Sequence, residues 1–219
     1  MQAVFTGWSD GGALSHAVTV PAGSTAYTAG FATRYQLTTA VNLAAGGHVL
    51  PLTGGWYGAG SLVQVSVTPN AGYAFANWTG AVANAAAAAT SVTMSAPQSL
   101  VANLSGVPAL RAQVTGKTGA AASRVWTITL TNSGTGTATE VAITGLAVAA
   151  WSGTPCTPAV QTTGPVAVPD VAPGSPRTAS LTIDFGTCAA ATKFKVDIGY
   201  RFGPGGGTVG TTSYTNTLR

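Results

Sequence analysis

The sequence predicts an all-β protein, with small repeated β-modules followed by a β-sandwich. Three observations carry that expectation. Apolar residues alternate with Thr, Ser, Gln or Lys at period two in several short runs, the pattern of strands with one buried face. Turn signals rich in Gly, Pro and Asn separate those runs. Charged residues make up only 6% of the 219 positions, far below the roughly 25% of an ordinary soluble domain. Thr, Ser, Gly and Ala stand where helical proteins carry Lys and Glu. Hydrophobic residues reach 46%, enough for a core, whereas disordered chains combine low hydrophobicity with high charge.

Internal repetition organises the first half. Residues 5–12, FTGWSDGG, correspond to residues 75–82, FANWTGAV, with Phe5 on Phe75 and Trp8 on Trp78. VTVPAG at 18–23 corresponds to VTMSAP at 92–97, and AYTAGF at 26–31 to SLVANL at 99–104. The period is about 70–74 residues. A complete β-repeat is therefore expected over 33–105, and the C-terminal half of an earlier one over 1–32. The half unit is expected to derive from something longer, with any export signal upstream. Its strands should find partners in 33–105, in another chain or in sequence ahead of it.

Within the complete unit, RYQLTTAVN at 34–42 reads as a strand rich in Thr, Val and Tyr. A Gly-rich turn region follows. SLVQVSV places Val63, Val65 and Val67 on one face and Gln64 and Ser66 on the other. PNAG at 69–72 is a turn. SVTM and SLVANL close the unit as short strands. The alanine run at 85–89 has high helix propensity, yet its small residues between strands read better as an irregular loop.

The order GG…GGWY.AGS.V.V…PNAGY.F..W.G…VTM..P..L.ANL across residues 1–104 resembles the divergent internalin-type B-repeat of bacterial extracellular proteins. The resemblance implies a modular stalk or adhesion context and no reaction. Asn77 stands where Gly commonly precedes the Trp; the half unit keeps Gly7 there.

From Gly106 the texture changes. RVWTITLTN at 124–132 sets Trp126, Ile128 and Leu130 on one face. ASLTIDF sets Ala179, Leu181, Ile183 and Phe185 inward and Asp184 outward. KFKVDIGY sets Phe194, Val196, Ile198 and Tyr200 inward and Lys193, Lys195 and Asp197 outward, so a one-residue slip would bury three charges. With turns at NSGTG, PDVAPGSP and GPGGG, residues 106–219 read as an immunoglobulin-like β-sandwich. They resemble the Ig-like domains that end large secreted proteins of environmental bacteria. The two cysteines, Cys156 and Cys188, read as one structural disulfide in an oxidising compartment. Two buried free thiols are the other reading.

These features exclude several functions. The net charge of +4 comes from nine basic and five acidic residues with no basic run, so no nucleic-acid partner is expected. No stretch approaches the ~20 apolar residues of a membrane span, so no membrane insertion is expected. His16 and His48 lack neighbours at metal-ligand spacing. Asp10 in WSDGG reads as a turn residue bonding its own backbone. No nucleophile elbow, carboxylate pair or phosphate loop is present. No catalytic, cofactor or metal site is predicted, and no cofactor. Trp56 and Tyr57 are the candidate ligand residues, because a Trp–Tyr pair exposed in a turn stacks on sugar rings. The competing expectation has Tyr57, Trp8 and Trp78 filling the cores of their repeats. The expected function is a non-catalytic structural or adhesive segment of a surface or secreted bacterial protein, self-assembling by strand addition. Its partners would be other domains of a larger surface protein or copies of itself. The alternative is a carbohydrate-binding module of a secreted enzyme, with a polysaccharide as partner.

Overall fold

The computed structural model describes residues 1–218, apart from the side chain of Asn216. The chain forms two compact units, Met1–Ser105 and the remainder from Gly106. Among the described residues no helix is long and apolar enough to cross a membrane.

The first unit contains β1 (Gln2–Trp8), β2 (Ala29–Val41), β3 (Gly47–Leu50), β4 (Gly55–Gly58), β5 (Leu62–Pro69), β6 (Tyr73–Thr79), β7 (Ala89–Thr93) and β8 (Gln98–Gly106). One sheet runs β1-β2-β8-β6, with β4 also on β2; the other runs β3-β5-β7. Strands β2 and β8 pair in parallel, Leu37 with Gln98 through Val41 with Ala102. Val63, Val65 and Val67 of β5 are buried as the alternation requires, against Leu37, Trp78, Val92, Met94 and Leu100. The PNAG turn closes by a Tyr73 N–H to Asn70 carbonyl bond of 3.0 Å.

Residues 85–88 of the alanine run form an irregular loop, and Ala89 begins β7. The loop's backbone closes over Trp78: the indole N–H donates to Ala87 O at 2.9 Å, and the Trp78 backbone N–H to Ala85 O at 2.8 Å. Methyl side chains let that backbone come so close. The segment 18–23 differs from its counterpart at 92–97. Residues 92–93 lie in β7, which pairs with β5, whereas 18–23 form no strand. The half unit holds no counterpart of β5 to pair with them.

Strand β2 is longer than the run read from the sequence. It begins at Ala29 because β1 pairs with its first residues, Phe5 opposite Phe31 and Trp8 opposite Ala29. It therefore passes without a break through residues 32 and 33. Arg34 pairs with Gln2 of β1 and with Gly58 of β4. Leu37 pairs with Gly55 of β4 and with Gln98 of β8. A strand residue has one neighbour on each edge, so β1 and β8 follow one another along one edge and β4 occupies the other. The β4 side reaches back to Thr33, whose carbonyl accepts the Ala59 N–H at 2.9 Å. Beyond it, no strand among the described residues pairs with that edge of residues 29–32.

The second unit contains β9 (Leu110–Thr118), β10 (Arg124–Asn132), β11 (Ala142–Ser152), β12 (Ala159–Val160), β13 (Val166–Ala167), β14 (Pro176–Asp184), β15 (Lys193–Phe202) and β16 (Thr208–Leu218). Its two sheets run β12-β14-β10-β9 and β13-β11-β15-β16. Between them lie Trp126, Ile128, Leu130, Leu181, Ile183, Phe185, Phe194, Val196 and Ile198. Trp126 stacks on Phe185 with ring centres 5.4 Å apart, and Phe185 meets Phe194 edge-on at 5.1 Å. Tyr200 donates its hydroxyl to Leu110 O at 2.7 Å, and Tyr214 donates to Ala112 O. These bonds tie β9 to the opposite sheet.

The TNSGTG turn is built on Asn132, which is buried. Its amide oxygen accepts from Ala109 and Gly134 N–H, both at 3.0 Å. Its amide nitrogen donates to Gly136 O at 2.7 Å and Val171 O at 2.9 Å. Both donors and both acceptor sites are used, which is how a buried amide avoids a desolvation cost.

The longer strands divide between the sheets as A-B-E and C-F-G do in an immunoglobulin sandwich. Two features depart from that plan. Short β12, on the β14 side, precedes short β13, on the β11 side. The cysteines join the segment after β11 to the turn between β14 and β15, whereas the antibody pair joins B to F.

Candidate functional site

Strand β4 carries the two candidate ligand residues. Side chains alternate along a strand, so Trp56 and Tyr57 face opposite ways. Tyr57 lies opposite Tyr35 on β2 and packs, half-buried, against the core of the first unit. A Cβ at Gly55 would lie 2.8 Å from the Tyr57 ring, so the glycine makes room for it. Trp56 lies opposite Gln36 and is 39% exposed. The pair is thus divided: Trp56 is open to a ligand and Tyr57 belongs to the repeat's framework. Trp78 is buried. Trp8 is half-buried.

Asp10 and His16 come together in the loop after β1. Asp10 Oδ1 accepts the Gly12 N–H at 3.0 Å, the turn read from WSDGG. Its Oδ2 lies 2.8 Å from His16 Nε2, and His16 Nδ1 lies 2.9 Å from Ala13 O. Both ring nitrogens face oxygen acceptors, which suits a doubly protonated ring. The His16 hydrogen bond, then that of Gly12, holds the Asp10 carboxyl below its ordinary value of 3.8. The Asp10 hydrogen bond raises His16 above its ordinary 6.5. A catalytic histidine needs one nitrogen on its acid and the other on a nucleophile. Here the second nitrogen is on Ala13 O. Sequence reasoning missed the pair, because the five intervening loop residues follow no period that brings side chains together.

The pair makes the loop's order depend on pH. The raised His16 contributes below its unfolded value, and that contribution is lost as pH rises through the folded one. The lowered Asp10 contributes above 3.8, and that is lost as pH falls through the folded value. The loop is expected to be tightest between about pH 4 and 6.5. Asp10→Asn should lower the His16 titration midpoint in an NMR titration. An unchanged midpoint would mean the pair does not form in solution.

Pocket and ion geometry elsewhere is sparse. Trp8, Leu14, Ser15, His16, Val18 and Tyr27 line a hollow of about 370 Å³ in the first unit. His48 is exposed on β3 opposite Thr68. Among the described residues, no three His, Cys, Asp or Glu side chains group as metal ligands. In the second unit, burial first, and then the Arg124 charge, lowers the Lys117 ammonium, which sits 4.9 Å from the Trp126 ring centre. Cys156 and Cys188 are bonded, with their Cα atoms 5.3 Å apart. Cys188 is buried and Cys156 is half-buried against the sandwich core. Trp151, near the disulfide, is exposed.

No curated protein and no solved structure matches the chain. Residues 37–108 match the family model described as divergent InlB B-repeat domain. That match opens at Leu37, where the parallel pairing of β2 with β8 begins, and it covers β3 to β8 entire. The glycine–aromatic β4, the Val-rich β5 and the buried Trp78 all lie within the residues that resemble this repeat.

Proposed function

We propose that the chain is a non-catalytic structural or adhesive segment of a modular bacterial protein at the cell surface or outside the cell. Strand β2 carries this reading. One unbroken strand ends the half repeat and begins the complete one, so the modules join without a hinge. Modules joined that way make a stiff spacer, whose stability is shared between neighbours. Residues 106–219 serve as an Ig-like module that follows the repeats in sequence, and the disulfide suits an oxidising location. The open edge of β2 is available for strand addition. Its partners are other domains of a larger surface protein, or further copies of such repeats.

A carbohydrate-binding module is the second reading, and exposed Trp56 favours it. Retention on a panel of insoluble polysaccharides separates the two. The wild-type chain and Trp56→Ala are expected to elute together without retention. Retention that Trp56→Ala abolishes would establish the carbohydrate reading instead. Trp56→Ala itself should cost about 1 kcal/mol or less in chemical denaturation, because a partly exposed strand residue loses little packing.

A further inference from the structure

The half unit is built like its counterpart but lacks that counterpart's cover. Phe5 and Trp8 hold their rings 5.8 Å apart at 59°. Phe75 and Trp78 hold theirs 5.8 Å apart at 57°. The Trp8 indole N–H donates to Leu14 O at 3.2 Å, as the Trp78 indole donates to Ala87 O. The pairing of β1 with the start of β2 corresponds to that of β6 with β8. Asn103 reinforces the latter through hydrogen bonds to Asn77 at 2.6 Å and Thr79 at 2.8 Å.

Burial separates the two copies. Met94 is 0% exposed and its counterpart Val20 is 87% exposed. Leu104 is 3% exposed and its counterpart Phe31 is 62% exposed. Buried Val92 and Leu100 correspond to exposed Val18 and Tyr27. In the complete unit, two things cover these positions: the β3-β5-β7 sheet, and the second half of β2 lying parallel on β8. In the half unit both places are open. Residues 25–29, the counterpart of 98–102, have no strand on the edge away from β1 among the described residues, and the hollow beside Trp8, His16, Val18 and Tyr27 lies where core side chains would sit.

We propose that this apolar face and open edge receive the first half of another B-type repeat, a segment with the strand plan of residues 33–69, joined in tandem ahead of β1. Its first strand would run parallel to residues 25–29, as Leu37–Val41 runs beside β8. A strand with the alternation of β5 would cover Trp8, Val20 and Phe31. The occupant follows from the chain's own complete copy, which shows what covers each equivalent side chain. A sugar would fill the hollow but would leave Val20, Phe31 and the strand edge bare. The inference deepens the strand-addition reading and rests on it. The polysaccharide assay is independent, so failure here leaves the non-catalytic reading untouched.

The test duplicates residues 33–72 directly ahead of Ala3 in the full chain, in the register of the natural join between Asn70 and Phe75. Amide hydrogen exchange is followed by mass spectrometry. Exchange of the segment 14–32 is expected to slow at least 100-fold, towards that of residues 88–104. Adding Phe31→Ser with Val20→Ser to the extended chain should abolish the protection. The same pair in the original chain should change its exchange far less, since Val20 and Phe31 are largely exposed there and the packing lost is the edge contact of Phe31 with Phe5. Unchanged exchange of residues 14–32 in the extended chain would overturn the proposal. So would a dimer of the original chain that Phe31→Ser dissociates, because the occupant would then be a second copy.

Discussion

Trp78→Ala will cost the first unit about 3–5 kcal/mol, the usual penalty for emptying a large aromatic site in a core. That is much of the net stability of a domain this size, so the unit will be largely unfolded at 37 °C or nearly so. The indole touches both sheets' side chains, and its N–H holds the alanine loop at Ala87 O. Removing it opens a cavity and frees a loop. Trp8→Ala removes the same residue type from the equivalent place in the half unit. There it will cost about 1 kcal/mol or less, because Trp8 is only half-buried, beside Phe5, His16 and the Leu14 carbonyl. Urea denaturation of the two variants measures the difference. Equal losses would mean that the half unit has a packed core in solution.

Replacing both cysteines by serine will cost the second unit about 3–4 kcal/mol on chain-entropy grounds, for a sequence separation of 32. The loss should appear as a lower denaturation midpoint of the 106–219 unit alone, with the repeat unit unmoved. Tension gives a second reading of the same bond. Residues between Cys156 and Cys188 cannot extend while it is closed, so reduction should lengthen the unfolded chain by roughly 110 Å at about 3.5 Å per residue. Force spectroscopy with and without reductant checks this. Equal contour lengths under both conditions would show that the cysteines do not pair in the folded protein.

The alternating strands were legible from sequence because burial on one face leaves a period-two record. Val63, Val65 and Val67 fall on the core side, as do Trp126, Ile128 and Leu130. Lys193 and Lys195 face solvent as read. Asp197 shares that outward face and is half-buried there, because Ser213 on β16 donates to its carboxylate, a bond that lowers its pKa ahead of the smaller effect of Lys195. Nothing along one strand records its neighbour's side chains. The alanine run reads as helix by propensity alone, and the demand of Trp78 for nearby carbonyls makes it a loop. The two-residue strands β12 and β13 were not legible, since two residues hold no period. At the candidate site the sequence singled out Trp56 and Tyr57 but left open whether Tyr57 is exposed or fills the core. The alternation of β4 and the bare Cα of Gly55 decide that. The Asp10–His16 pair had no local signal at all.

The unbroken run of β2 has a consequence for how such chains change over generations. A single inserted residue near its middle would turn over the inward and outward faces of Ala29–Arg34 relative to Leu37–Val41. Two modules would lose their facing at once, one on each side of the lesion. A loop between independent domains absorbs length changes freely, but this join does not. An odd-numbered gain or loss of residues here is disfavoured unless a β-bulge absorbs it, so the spacing across this join is held far more tightly than a loop would hold it.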